Sequence, residues 1–407
     1  MSSRRVAGAV AAALVLAGAS LSACGSSSSS SQASSGGASS GGSSSTGSGS
    51  TQSPAAVDQL ANSIIAQATG QVQAKGPHGE TAASPSTVQL TPAEMAKIRA
   101  KHATAALVIH LGGDGWSQAQ VSGLESEFKT LGIKVISVTY AHGDVPTQIK
   151  NIQTVLAEKP TIMVSIPLSP DTEAAAYRAA VNQGVKLVFM DNVPTGFQAG
   201  KDYISDVSAD NYGNGLVSGA LLAKELHGKG QIGVVYFNVN FFVTNERFQG
   251  FKDAIAKFPG IKIVASQGVT TTPDVISNSE RAANAMLTEH PNLDAIYAIW
   301  DAPAQGVLAA ARAHGRGTSL IIATEDLGPE VALNIAQGGD VKDLGAQRPF
   351  DQGITEAKLA GYGLLGKKAP PYVALPALPV TKANVLQAWQ TVYHSAAPGN
   401  VRSAAAS

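Results

Sequence analysis

The sequence lacks most of the devices that announce a function directly. One cysteine, Cys24, serves 407 residues, so no intrachain disulfide can brace the fold. Lys plus Arg equals Asp plus Glu at 29 each, a formal net charge of +0. That balance gives no sign of the basic surface a nucleic-acid partner requires. No apolar stretch reaches the ~20 residues of a bilayer span. There is no P-loop, no G-x-S-x-G elbow and no H-E-x-x-H zinc helix. Gly113-Asp114-Gly115 begins like a dinucleotide fingerprint, but Gln118 stands where the third glycine belongs. Gly213-Asn214-Gly215, running on to Gly219, has the wrong spacing and no strand before it. The eight histidines are scattered. The expectation is a protein with no catalytic residues, no metal and no cofactor.

The N-terminal region is informative. Arg4 and Arg5 precede Val6–Ala19, uncharged and rich in Ala, Val, Leu and Gly. Residues 1–23 therefore predict a secretory signal peptide. The arginine pair hints at twin-arginine export, but the rest of that motif is missing. Leu21-Ser22-Ala23-Cys24 resembles the lipobox of bacterial lipoproteins. Small Ser22 and Ala23 suit a peptidase cleft, and the Cys24 sulfur is the strong nucleophile that takes a diacylglyceryl group. Cleavage before Cys24 leaves a lipidated N-terminus, which two or more acyl chains anchor stably. An ordinary secreted protein with an incidental cysteine is the alternative. Residues 24–53 are nearly all Ser, Gly, Thr, Ala and Gln, a composition that predicts a disordered tether. A Gly/Ser coil of ~28 residues reaches roughly 30 Å. Together these segments predict a body held at the extracellular face of a bacterial cytoplasmic membrane.

The remaining chain, about 350 residues, exceeds one core and predicts two domains. Residues 54–102 read as an extension with helices. Its clearest signal is Thr91-Pro92-Ala93-Glu94, an N-cap, a first-turn proline and a capping-box glutamate. From Ala103 a unit recurs: an apolar run, a polar turn, an amphipathic stretch, a glycine. The runs are Ala105–Leu111, Ile133–Tyr140, Thr161–Ile166, Val185–Met190, Ile232–Phe237, Ile261–Ser266, Ala295–Ile299 and Ser319–Ala323. Gly132, Gly184 and Gly260 each precede a run as expected C′ glycines. Continuous apolar strands between helices predict α/β lobes with parallel sheets. Ligands of such sheets bind beyond the strands' carboxyl ends. The windows to inspect are therefore Gly112–Trp116, Pro167–Ser169, Asp191-Asn192, Asn238–Arg247, Thr270–Thr272, Trp300-Asp301 and Glu325-Asp326.

Those windows carry a resemblance. From about Thr104 to Val385 the chain resembles the periplasmic sugar-binding proteins of ribose-binding type, the receptors of bacterial ABC importers. Leu187-Val188-Phe189-Met190-Asp191 looks like the strand whose terminal Asp binds sugar hydroxyls. Val207–Asn211 looks like the first crossover, and Ala346-Gln347-Arg348-Pro349 the second, where the Gln contacts sugar. Asn245–Phe251 is similar to the helix start whose Arg, here Arg247, reaches the ligand. Thr324-Glu325-Asp326 sits where the family keeps another ligand Asp. The resemblance implies the type I periplasmic binding protein fold, two doubly wound α/β/α lobes joined by a three-strand hinge. It implies an N-terminal lobe of 103–209 plus 349–373, a C-terminal lobe of 210–348 plus 374–395, and a disordered tail over 396–407. The departures are one aromatic instead of two in Gly112–Trp116, Asn192 in place of an Arg, and Trp300 in place of an Asn. They separate this pocket from a ribose site.

The implied ligand set is Asp114, Trp116, Asp191, Asn192, Arg247, Trp300, Asp326 and Gln347. Ionised carboxylates accept from hydroxyls, Arg and Asn donate to them, and an aromatic covers the C–H face of a sugar. Each residue has a competing structural use. Asp191 and Asp326 suit helix N-caps, Arg247 suits a surface pair with Glu246 or Asp253, and Gln347 suits a hinge bond. The tryptophans suit core positions, and Asp114 suits a glycine-shaped turn. The implied partners are a sugar or polyol, a permease with its ATPase, and the membrane through the lipid. A monomer is expected, and no nucleic acid. Two rivals share the scaffold or its carboxylates: a sensor for a membrane kinase, and a glycan hydrolase needing two carboxylates about 5–9.5 Å apart.

Overall fold

The computed structural model describes residues 52–271 and 274–407. The predicted signal peptide, Cys24 and nearly all of the tether lie outside the described residues, as do Thr272 and Pro273.

The eight apolar runs and four further strands form two six-stranded sheets. β1 (Thr104–Ile109), β2 (Lys134–Tyr140), β3 (Ile162–Ser165), β4 (Lys186–Met190) and β5 (Asp206–Ala209) build the first. β6 (Lys229–Phe237), β7 (Gly260–Val269), β8 (Ala295–Ala298), β9 (Ile321–Glu325) and β10 (Val341–Ala346) build the second. β11 (Tyr372–Leu375) then returns to the first sheet and β12 (Leu378–Thr381) to the second. The spatial orders are β11-β5-β4-β3-β1-β2 and β12-β10-β9-β8-β6-β7. β12 runs antiparallel to β10, whereas β11 is parallel to β5. The chain thus passes between sheets after β5, after β10 and between β11 and β12.

α1 (Pro54–Gly70) and α2 (Pro92–Arg99) precede the sheets. α3 (Gly115–Leu131), α4 (Val145–Ala157) and α5 (Pro170–Asn182) link strands of the first. α6 (Asn211–Glu225), α7 (Phe242–Ile255), α8 (Val275–Glu289), α9 (Asp301–Ala313) and α10 (Pro329–Gln337) serve the second. α11 (Pro349–Leu365) packs back on α3, and α12 (Val385–Tyr393) and α13 (Gly399–Ala405) close the chain. The doubly wound, two-lobed architecture is the one expected.

The extension is bound to both lobes. α1 buries Val57, Ala61, Ile64 and Ala68 against α6. The Gln73 and Ala74 N–H groups then donate to the Asp210 carboxylate at the first crossover, at 2.7 and 2.9 Å. Ala83 pairs with Val373 of β11. α2, opened by the full Thr91–Glu94 capping box, buries Ile98 against the first lobe.

Four expectations are corrected. A strand does precede Gly213–Gly219: β5 ends at Ala209, and α6, which carries these glycines, begins at Asn211. The tail over 396–407 is not disordered: α13 buries Val401 completely against α10 and α12. Gly132 and Gly184 take the left-handed conformation that ends a helix, φ 68° and 79°, but Gly260 does not. It is the first residue of β7, and a Cβ there would lie 2.4 Å from the Gly228 carbonyl oxygen. Close backbone approach, not a helix end, requires that glycine. Finally, β7 is not covered on both faces; as an edge strand it leaves Ile263 and Val264 exposed.

Candidate functional site

Residues beyond the carboxyl ends of strands in both sheets line one cavity of about 370 Å³. Its floor lies toward the hinge. Asp191 follows β4, Asp326 follows β9, and Gln347 follows β10 at the second crossover. Asp191 and Asp326 occupy corresponding places in the two sheets, and both adopt the left-handed backbone, φ 60° and 66°. That region costs a non-glycine residue roughly 1 kcal/mol or more, and aspartate is among the few that enter it. Both lobes accept this strain to turn a carboxylate into the cleft.

Arg247 of α7 binds Asp326 with both terminal nitrogens, Nη1–Oδ2 2.8 Å and Nη2–Oδ1 3.4 Å. Its Nε donates to Asn211 Oδ1 at 3.0 Å and lies 3.3 Å from Glu325 Oε2. Gln347 Nε2 donates to Asp326 Oδ1 at 2.9 Å. Burial opposes the charge of Arg247, but Asp326 and Glu325 outweigh it and raise its pKa. The Glu325 carboxyl is pushed up to about 8 by burial, although Arg247 and the Tyr297 hydroxyl at 2.5 Å favour its charge. Asp191 accepts a single hydrogen bond from Ser208, Oγ–Oδ1 2.6 Å. Burial pushes its carboxyl up to about 6.

The walls are aromatic. His110 stacks on Phe241 across the lobes, centroids 5.9 Å apart and planes 5° apart, and meets the edge of Trp116 at 5.6 Å. Phe237 meets Trp300 edge-on at 5.2 Å. Phe241 and Val243 of the second lobe pack into the core cluster of the first, so the lobes are closed over the cavity. His110 Nδ1, Trp116 Nε1 and Gln347 Oε1 are buried without a hydrogen-bond partner. Burial lowers the His110 pKa to about 4; the neutral ring offers its unpaired nitrogen to whatever enters. Asp301, at the start of α9, also lines the cavity, and burial followed by the charges of Asp326 and Asp114 pushes it up to about 7.

Asp114, Trp116, Asp191, Arg247, Trp300, Asp326 and Gln347 therefore meet at one cavity. Asn192 does not line it. Its amide donates to the Pro167 carbonyl at 2.9 Å, and the side chain is buried behind the wall. Asp114 lines the cavity, yet its carboxylate caps α3, with Ser117 N–H and Oγ each at 2.7 Å. His110, Phe237 and Phe241 were not among the expected contacts. The windows already held Phe241; His110 and Phe237 lie one or two positions before theirs. Among the described residues, no group of three or more His, Cys, Asp or Glu is placed to hold a metal ion. Among them, no helix is long and apolar enough to cross a membrane.

Comparison with known proteins agrees with this fold. Residues 105–368 match the periplasmic binding protein domain family. The D-allose-binding periplasmic protein of Escherichia coli (strain K12) is 28% identical over 272 residues, covering 64% of this chain and 86% of that one. The xylitol-binding protein of Mycolicibacterium smegmatis is 25% identical over 248 residues, covering 60% and 68%. An ABC transporter solute-binding protein from Agrobacterium vitis, solved with α-D-tagatopyranose, superposes with a TM-score of 0.65 at 22% identity, covering 71% of this chain and 99% of that one. These relatives are binding proteins, not enzymes.

Proposed function

The chain belongs to the periplasmic binding protein domain family, and from that premise we propose that it captures a sugar or sugar-like polyol for an ABC importer. The observation that carries the reading is convergence. Asp191 from one lobe and the Arg247–Asp326–Gln347 group from the other reach a single cavity. Asp191 keeps acceptor capacity beyond its one bond to Ser208, and the unpaired nitrogens and amide oxygen supply both donors and acceptors. A hydroxylated ligand uses all of them. Neither lobe completes the set alone, so the ligand favours the closed state by its differential affinity for it. Opening then rotates the lobes at the crossovers and separates Phe241 and Val243 from the first lobe.

The remaining parts of the reading rest on sequence. Leu21–Cys24 supports lipidation at Cys24 and retention at the extracellular face of the membrane, and intact-mass analysis of membrane extracts checks it. A monomer is proposed to deliver its ligand to a permease and its ATPase. The function is tested by thermal shift with pentoses, hexoses and acyclic polyols. A ligand at a hundredfold its Kd adds about 2.7 kcal/mol to stability, a clear upward shift in Tm. Absence of a shift with every sugar and polyol overturns the reading.

A further inference from the structure

The polar and apolar linings of the cavity are unevenly distributed. The charged floor comes from the ends of β4, β9 and β10, near the hinge strands of each sheet, with Arg247 reaching it from α7 and Asp301 lying after β8. The far end comes from the loops after β1, β2 and β3 in the first lobe, and after β6 and β7 in the second. There the first lobe contributes Leu111, Val145 and Leu168, and the second contributes Val239, Val243 and Val275. Three aliphatic side chains thus face the cavity from each side.

At that end His110 Nδ1 and Trp116 Nε1 remain unpaired, but the carboxylate and one hydroxyl are already committed. Asp114 gives its carboxylate to Ser117. The Thr244 hydroxyl donates to the Phe241 carbonyl at 3.1 Å. Thr271 brings a hydroxyl beside Gly143. A ligand with hydroxyls all round would strand some of them against aliphatic walls, at a loss on the order of tenfold in affinity for each. The volume, about 370 Å³, falls within the ~300–1,000 Å³ range of pockets that enclose drug-sized ligands, so a bare ring need not fill it.

We propose that the ligand is amphipathic: a hydroxylated head held by Asp191, Arg247 and Gln347, with an alkyl or thioalkyl substituent lying between Val145 and Val275 at the outer edge. This rests on the sugar-binding reading and narrows it to substituted or glycosidic sugars.

Calorimetry on the full chain tests it with D-ribose and D-allose, their n-butyl glycosides, and their methylthio derivatives at the terminal carbon. Each buried methylene contributes about fourfold in affinity. At least one substituted compound should bind tenfold or more tightly than its parent sugar. Val145→Asn and Val275→Asn should each narrow that ratio at least threefold. Parents that bind as tightly as their derivatives, or more so, overturn the proposal and leave the sugar reading standing. If no parent and no derivative binds, the sugar reading falls and the proposal falls with it.

Discussion

In the first lobe the aspartate after the fourth strand, Asp191, is held by one hydroxyl; in the second its counterpart, Asp326, is held by a guanidinium and an amide. The backbone solution is the same, with φ near 60° at both. The electrostatics differ. The Asp326 carboxylate is paired: Arg247 lies among Asp326, Glu325 and Asn211, and every direction of its guanidinium has an acceptor, although burial still pushes the Glu325 carboxyl up to about 8. Around Asp191 burial is not balanced, and the proton is retained to about pH 6. One wall is therefore preorganised before ligand arrives. The other becomes satisfied only when hydroxyls reach it. Preorganisation lowers the ordering cost of binding, and the unsatisfied wall makes affinity depend on closure.

Replacing Arg247 tests the paired side and should have the largest effect. Arg247→Met leaves the Asp326 carboxylate and the buried Glu325 carboxyl without their cation. Breaking a buried pair from one side costs about 3–5 kcal/mol, so urea denaturation should show a loss of that order. Ligand affinity should fall as well. A loss below about 1 kcal/mol would mean that the clamp is dispensable and the two lobes are alike after all.

Asp191→Asn tests the other side, and the sign reverses. The folded pKa of about 6 lies above the ordinary 3.8. Between those values the folded protein holds a proton that the unfolded chain has released, so stability falls as pH rises through this window. Above it the penalty is constant, about 3 kcal/mol at ~1.4 kcal/mol per unit. Asp301 and Glu325, pushed up to about 7 and 8, extend the same slope to higher pH. The Tm of the wild type should therefore rise as pH falls from 8 to 5. Asp191→Asn should flatten the slope between pH 4 and 6 and be the more stable protein at pH 7. Its affinity for the cognate sugar should nevertheless drop roughly tenfold to a hundredfold through the lost charged acceptor. Equal slopes in the two proteins would show that Asp191 is ionised without penalty.

Much of this site was legible because strand ends are legible. Met190-Asp191 and Glu325-Asp326 end apolar runs with a carboxylate, and the ligand site of a doubly wound sheet lies there. The parts that were missed depend on contacts that local pattern does not record. His110 and Phe237 read as continuations of apolar strands; only closure of the lobes brings His110 onto Phe241. Asn192 stands next to Asp191, but the reversed backbone at Asp191 sends it to the Pro167 carbonyl instead of the cleft. β10 was missed because Lys342 and Asp343 interrupt its run. The helix at 399–405 is rich in Ala and Ser and reads as tail until Val401 finds its pocket.

The smallest expected effect concerns the helix after the first strand of each lobe, and it separates capping from contact. α3 follows β1 and is capped by Asp114. α7 follows β6 and has Phe241 at the same place, with no side-chain cap. The second lobe thus uses an aromatic against His110 where the first uses a carboxylate turned inward on Ser117. Asp114→Ala should cost about 1 kcal/mol of stability, the ordinary loss of an N-cap. Since both oxygens are spent on Ser117, affinity for the sugar should change by less than about threefold, under 0.7 kcal/mol. Asp114→Asn keeps one acceptor for the Ser117 N–H and should recover most of the stability. Paired denaturation and calorimetry on these variants distinguish the two roles. A loss of affinity above tenfold with stability unchanged would assign Asp114 to the ligand, and the first lobe would then carry two ligand carboxylates where the geometry gives it one.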